Sequence, residues 1–158
     1  MSGQLPVSFT ADLGFAIGSD VNVLISGGDL NDGQAIARLI HERSHRRAGP
    51  FVVVGPASAA DLLTPEELVR KSYGGTLFVE EAGALDQDTQ AELLRIVTGP
   101  TAEPVDVCAV RGMRVIASTT SNLLRRLTSR EFRADLFYRL NVIHMNLGRG
   151  PAPMARLM

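Results

Sequence analysis

The chain has 158 residues, a formal net charge of -1 at pH 7 and 45% hydrophobic residues. This length allows one domain with a sizeable core, since single domains commonly have about 100–150 residues. The small net charge excludes a general attraction to nucleic acid or anionic membranes, and the single cysteine, Cys108, excludes an internal disulfide. The sequence shows neither a secretory signal nor an apolar run long enough for a membrane helix, so we expect a cytoplasmic protein.

The first predicted elements are a strand, a glycine turn and a helix. Residues 1–18 are interpreted as a lead-in segment, and VNVLIS (21–26) predicts a buried strand. Asn31 or Asp32 is available to cap the start of the helix that follows the turn. The apolar residues of this helix recur at helical spacing and are Ala35, Ile36, Leu39 and Ile40.

Four more apolar runs have the length and β-branched content of strands. They are FVVVG (51–55), TLFVE (76–80), MRVIAS (113–118) and NVIHMN (141–146). Between the second and third strands, Thr64-Pro65-Glu66-Glu67 predicts the start of a short helix. After the third strand, Asp86 or Asp88 can cap a helix that Gly99-Pro100 stops. The apolar face predicted for it is Ala91, Leu94 and Val97, with Leu93 beside them.

The alternation of strands and helices predicts a parallel sheet with helices on both faces, because parallel strands need crossover connections. Ligands of such sheets bind at the carboxyl ends of the strands. We expect residues 26–33, Glu80-Glu81, residues 118–120 and the loop in the 130s to converge there. Residues 99–112 predict a loop with a short hairpin arm, and residues 148–158 predict a loose tail.

Several blocks of the sequence resemble one family, the AAA+ ATPase domain of sigma-54-dependent transcriptional activators. The blocks are SDVNVLISG, AIARLIHERSHRRAGPFV, GGTLFVEEAGALDQDTQAELLRIV, VDVCAVRGMRVIASTTSNL and REFRADLFYRLNVIHMNL. The similarity covers residues 19–147, which we interpret as the domain. It implies a P-loop NTPase-like three-layer α/β sandwich with a five-stranded, mainly parallel sheet. It also implies ATP and Mg as cofactors and a ring, usually a hexamer, that acts on polymerase bound to sigma-54.

The phosphate loop implied by the resemblance lacks its lysine. In ungapped register Gly33 takes the lysine position, and a shift by one residue places Gln34 there, with Gly27 and Gly28 at the start of the loop. Asp29 and Asp32 add negative charge where a triphosphate would lie. Each carboxylate would cost on the order of 1–4 kcal/mol of repulsion at ~4 Å. The alternative interpretation is a structural strand-to-helix turn with Asp32 as N-cap.

The acidic motif and the sensor position also depart from the family pattern. By resemblance Glu81 matches the catalytic glutamate, and Glu80 replaces the aspartate that holds magnesium. Thr120 stands where the sensor asparagine is expected. The alternatives are a solvated or salt-bridged carboxylate pair and a polar residue that ends a strand.

The arginine segment keeps the family pattern. By resemblance Arg133 is a finger that reaches the nucleotide of a neighbouring subunit, and Arg139 is a second interface arginine. A salt bridge within the chain is the alternative. The family's GAFTGA remodelling loop, helical lid and helix-turn-helix find no counterpart in the sequence, so we expect no direct reading of DNA.

Two other groups of residues are candidates for a metal site and a nucleic-acid contact. His41 and His45 lie four residues apart on a helix and could share a metal, but HERSHRR is also typical of a solvated face, and we expect no metal site. A basic cluster could contact nucleic acid, but a subunit interface or a solvated surface fits it better, because no aromatic residues interleave for stacking. The cluster comprises Arg125, Arg126, Arg130 and Arg133.

The resemblance and its departures predict a transcription regulator that is deficient in ATP hydrolysis. Its expected partners are related AAA+ activator subunits or the sigma-54 polymerase machinery, so it could form an oligomer and inhibit an intact activator in a mixed ring. One alternative is a weak ATP-binding protein or ATPase in which ATP and Mg bind poorly. A second alternative is a shortened remnant without activity.

Overall fold

A computed structural model describes residues 7–55, 64–98 and 112–147. Within these ranges the helices are α1 (Val7–Gly18), α2 (Leu30–Arg43), α3 (Pro65–Ser72), α4 (Gln87–Thr98), α5 (Leu123–Thr128) and α6 (Ala134–Leu140). The strands are β1 (Val23–Ser26), β2 (Phe51–Val54), β3 (Thr76–Val79), β4 (Arg114–Thr119) and β5 (Ile143–Asn146). The expected hairpin arm and the expected tail lie outside the described residues, apart from Gly112.

The five strands form one sheet in the order β2-β3-β4-β1-β5. Every pair of neighbouring strands is parallel. Ser26 at the end of β1 is in register with Thr119 of β4 and with Asn146 of β5. The predicted five-stranded parallel sheet is therefore confirmed, and three strands end level with one another beside the glycine turn.

Helices cover both faces of the sheet. On one face α1 and α2 pack against β1, β4 and β5 through a core that includes Phe9, Ile36 and Ile40. On the other face α3, α4 and α6 pack through a second core that includes Leu68, Ile96 and Leu136. The predicted three-layer sandwich is confirmed.

The predicted core faces of two helices needed correction. In α2 the buried residues include Ala37 and His41, whereas Ala35 is exposed. The buried face of α4 is Gln90, Leu93, Ile96 and Val97, whereas Leu94 is only partly buried against the same core. In both helices the correction is a rotation by about one residue.

The starts of α3 and α4 agree with the sequence. Thr64 caps α3 through a capping box with Glu67, and Pro65 lies at the start of the helix. The Asp86 carboxylate accepts a hydrogen bond from the Thr89 backbone N–H at 2.7 Å, so Asp86 is the cap of α4. Among the described residues, no helix is long and apolar enough to cross a membrane.

The lead-in segment contains a helix, although no secondary structure was predicted for it. Helix α1 packs against β5 and α2. The buried guanidinium of Arg114, the first residue of β4, donates to the Ala16 carbonyl at 2.7 Å and to the Val21 carbonyl at 2.6 Å. A cation at the carboxyl end of a helix is favourable because the helix dipole is negative there. Arg114 therefore fixes the end of α1 to the sheet.

Candidate functional site

The glycine turn after β1 is short and leads directly into α2. Gly27 and Gly28 have φ angles of 81° and 64°, the left-handed region that glycine adopts without strain. The Gly27 N–H continues the sheet by donating to the Thr119 carbonyl at 3.0 Å. Helix α2 begins at Leu30, so the positions that would form an open phosphate loop belong to the first helical turn.

The N-cap of α2 is Asp29, so the prediction of Asn31 or Asp32 was wrong. The Asp29 carboxylate accepts from the Asp32 N–H at 2.9 Å, and the Asp32 carboxylate accepts from the Asp29 N–H at 3.0 Å. This reciprocal pair is a capping box, and Asp32 is its third helical residue. The spacing Asp-x-x-Asp was the sequence signal for it.

The Asp32 carboxylate lies inside the glycine turn. Its residue is only 8% exposed. A methyl group added to Gly28 would lie 2.8 Å from Asp32 Oδ2. The Asp32 carboxylate therefore packs against Gly28 and accepts a hydrogen bond from the Asp29 N–H.

Gly33 faces the sheet. A methyl group added there would lie 2.8 Å from Cβ of Ser118 in β4. There is accordingly no room at this position for a side chain unless α2 shifts away from the sheet. The neighbouring Gln34 amide, oriented with its oxygen towards Arg38, accepts from that guanidinium at 3.3 Å. Neither residue supplies a cation to the turn.

The two adjacent glutamates at the end of β3 turn to different strands. Glu80 lies beside Gly55 at the end of β2. Glu81 has a φ angle of 54°, which is uncommon for a residue with a side chain. Its carboxylate accepts from the Thr120 N–H at 3.2 Å and from the Thr120 hydroxyl at 2.6 Å. These hydrogen bonds lie at a solvent-exposed position, and the expectation of a solvated or salt-bridged pair stays a prediction.

Residues 26–33, Glu81 and residues 118–120 converge as predicted. The Glu81 N–H donates to the Ser118 hydroxyl at 3.4 Å, which joins the ends of β3 and β4. Ser118 also contacts the Gly33 position of α2. The sequence analysis did not assign Ser118 a role, because a serine within an apolar strand carries no local signal of its contacts.

A crevice of about 570 Å³ opens beside this cluster, between the ends of β1 and β5 and the helices α5 and α6. Gly27, Thr120 and Phe137 are among its lining residues. The Ser26 hydroxyl and His144 Nε2 lie 2.6 Å apart at its edge, and partial burial lowers the pKa of His144. The loop before α6 contacts α4 instead, so its expected convergence with the strand ends is not observed.

The guanidinium of Arg133 is paired within the chain. It donates two hydrogen bonds to the Asp135 carboxylate, at 3.1 and 3.0 Å. The bidentate pair raises the pKa of Arg133 and lowers that of Asp135. Arg139 is exposed on the same helix, α6. Roles of both arginines towards a neighbouring subunit remain predictions.

His41 in α2 and His45, which follows the end of α2, both have structural contacts. His41 is 5% exposed, with Nδ1 2.9 Å from the Thr76 hydroxyl and Nε2 3.1 Å from the Gly49 carbonyl. His45 instead lies beside Asp20, which also accepts two hydrogen bonds from Arg46. The interpretation of HERSHRR as a solvated face was wrong for His41 and Arg46, because both are buried.

The residues at the turn do not fit a triphosphate or its metal. A phosphate needs free N–H donors and a nearby cation, whereas here a carboxylate occupies the turn and Gly33 replaces the expected lysine. In the described ranges, no group of three or more His, Cys, Asp or Glu residues is placed to hold a metal ion. The glycine turn therefore carries a carboxylate against its N–H donors and has no lysine.

Solved structures share this fold. The NtrX protein from Brucella abortus, in a crystal structure with ATP, matches 92% of this chain and 36% of its own, with 24% identity and a TM-score of 0.68. The P-loop NTPase domain of a sigma-54 activator from E. coli matches 87% of this chain and 98% of its own, with 20% identity and a TM-score of 0.64. The five-stranded sheet and its helices thus define a P-loop NTPase fold of the AAA+ class.

Sequence comparisons identify the family. The family model described as the Sigma-54 interaction domain matches residues 64–146. The regulator NtrC of Salmonella typhimurium is 33% identical to this chain in an alignment that covers 82% of this chain and 32% of NtrC. The Nif-specific regulatory protein of Enterobacter agglomerans is 36% identical to this chain in an alignment that covers 87% of this chain and 30% of the relative. The chain belongs to the sigma-54 interaction domain family and spans about a third of the length of these relatives.

Proposed function

We propose that this chain regulates transcription as a member of the family that does not hydrolyse ATP and acts through protein contacts. One observation carries the proposal: the carboxylate of Asp32 lies in the glycine turn and bonds the Asp29 N–H at 3.0 Å. Charge stabilisation of phosphate is usually a large catalytic term, and the loss of one donor can cost ~3–4 kcal/mol. This chain lacks the lysine that would stabilise the phosphate charge, and it adds a carboxylate that repels that charge.

The proposed mode of action is inhibition of an intact activator in a mixed ring. Arg133 at the N-cap of α6 and Tyr138 and Arg139 within α6 are exposed. Arginine and tyrosine are enriched in protein interfaces because they combine large contact area with directional hydrogen bonds. A subunit that offers this surface but cannot hydrolyse ATP would dilute the active subunits of the ring.

A weak ATP-binding role is the second candidate. The left-handed Gly27-Gly28 turn at the end of β1 favours it, because such a turn can direct backbone N–H groups at an anion. A remnant without activity is the third candidate, and it predicts a chain that neither melts cooperatively nor binds a partner.

The mixed ring is tested with the AAA+ domain of a relative that has the phosphate-loop lysine, such as NtrC. ATP turnover by that domain is measured while this chain is added, and co-assembly is followed by native mass spectrometry. We expect mixed assemblies, and turnover per intact subunit should fall to about half or less at equal concentrations.

Matched arginine variants show whether α6 makes the contact. Arg133→Ala should weaken co-assembly about tenfold, as loss of an interface arginine commonly does. Arg95→Ala is the control, because Arg95 is likewise exposed and paired with a carboxylate, that of Glu92 at 3.5 Å, but lies on α4. Absence of mixed assemblies, or an equal effect of both variants, would contradict the proposal.

A further inference from the structure

Four N–H groups of the glycine turn and the first turn of α2 are already bonded within the chain. Gly27 donates to the Thr119 carbonyl, Asp29 to the Asp32 carboxylate, Asp32 to the Asp29 carboxylate and Gly33 to the Asp29 carbonyl. The anion-binding capacity of a helix N-terminus depends on such groups being free. In this chain, two carboxylates use donors that a phosphate would need.

We infer that Asp32 prevents phosphate from binding at the glycine turn. Its carboxylate takes the place that the bound anion would have. This inference rests on the proposed loss of ATP hydrolysis and gives its physical cause. The carboxylate is nearly buried, accepts from the Asp29 N–H and lies against Gly28. A phosphate oxygen would compete for the same donor and would meet a like charge at contact distance.

Asp32 and Asp29 have different roles in this arrangement. Asp29 is exposed, and its carboxylate caps the helix by accepting from a backbone N–H, that of residue 32. This cap does not depend on the side chain at position 32. Asp32 can therefore be replaced without removing the N-cap of α2, and its replacement removes the carboxylate that packs against Gly28.

The difference between the two residues allows a matched experiment. Asp32→Ala removes one negative charge and empties the turn, whereas Asp29→Asn removes one negative charge and keeps a good N-cap. Pyrophosphate binding to both variants and to the parent is measured by calorimetry and by shifts of the Gly27 and Gly28 amide resonances. We expect weak binding by the parent, little change in Asp29→Asn and about tenfold or greater tightening in Asp32→Ala.

The outcomes separate this inference from the proposed function. If the parent hydrolyses Mg-ATP, the proposed loss of ATP hydrolysis is contradicted. If neither the parent nor Asp32→Ala binds pyrophosphate, only the role of Asp32 is overturned, and equal gains in the two variants overturn it as well, because charge alone would then explain exclusion. Asp32→Ser serves as a second variant if Asp32→Ala fails to fold by circular dichroism.

Discussion

Gly33 lies in the first turn of α2, where two effects of an added methyl group oppose each other. Glycine inside a helix costs about 1 kcal/mol relative to alanine, so the substitution alone favours the helix. Here, however, the methyl group would meet Cβ of Ser118 at 2.8 Å. Forcing a methyl group into a packed contact costs typically about 1–3 kcal/mol. We expect Gly33→Ala to lower the free energy of unfolding by up to about 2 kcal/mol, measured by urea denaturation.

Gly14 provides the control for this prediction. It lies in α1, and a methyl group added there has no heavy atom within 4 Å. Gly14→Ala should therefore raise the free energy of unfolding by up to about 1 kcal/mol. If both variants were stabilised, α2 could move away from β4 at little cost, and a lysine side chain at position 33 would also be tolerated.

Single residues also show where prediction from the sequence failed. The strands were predictable because each is a β-branched run of strand length, and the cap at Thr64 was predictable because its partner Glu67 is three residues away. The long-range partners were not predictable. Nothing near Arg114 indicates that its guanidinium binds a carbonyl 98 residues earlier in the chain. At the candidate site, the sequence indicated the missing lysine but not the buried position of Asp32.

Helix α1 depends on a contact that crosses the sheet, from Arg114 to the Ala16 and Val21 carbonyls. Arg114→Leu keeps much of the buried volume but removes two charge-assisted hydrogen bonds and leaves those carbonyls without these donors. We expect a loss of roughly 2–4 kcal/mol in the free energy of unfolding. Hydrogen exchange should accelerate more over residues 7–18 than in β3, because the lost contact belongs to α1.

Arg95→Leu is the control for the Arg114 prediction. Arg95 is exposed on α4, and its pair with Glu92 is a surface pair between neighbouring turns. Surface pairs of this kind contribute about 0–1 kcal/mol. Equal losses in the two arginine variants, or uniform acceleration of exchange across the domain, would show that α1 is held by its apolar contacts alone.

The global stability of the molecule should depend on pH through its buried histidine. The Gly49 carbonyl can only accept, so His41 Nε2 carries the hydrogen and Nδ1 accepts from the Thr76 hydroxyl. Burial lowers the pKa of His41 from its usual value of 6.5. The unfolded chain therefore binds a proton at a higher pH than the folded chain does. Stability should be highest above about pH 6.5 and fall as the pH decreases towards the folded pKa.

Variants distinguish His41 from the other groups that titrate. The pKa of His144 is also lowered by burial, but His144 lies at the exposed edge of the crevice, so its effect should be smaller. The pKa of Asp20 is lowered from 3.8 by Arg46, so its contribution is lost only in more acidic solution. Urea denaturation between about pH 7 and pH 5 gives the free energy of unfolding as a function of pH. His41→Gln should reduce the slope of this dependence more than His144→Gln does. An unchanged slope in His41→Gln would mean that the bonds of α2 to Gly49 and Thr76 tolerate the charged ring, and that His41 does not limit the acid stability of the sheet.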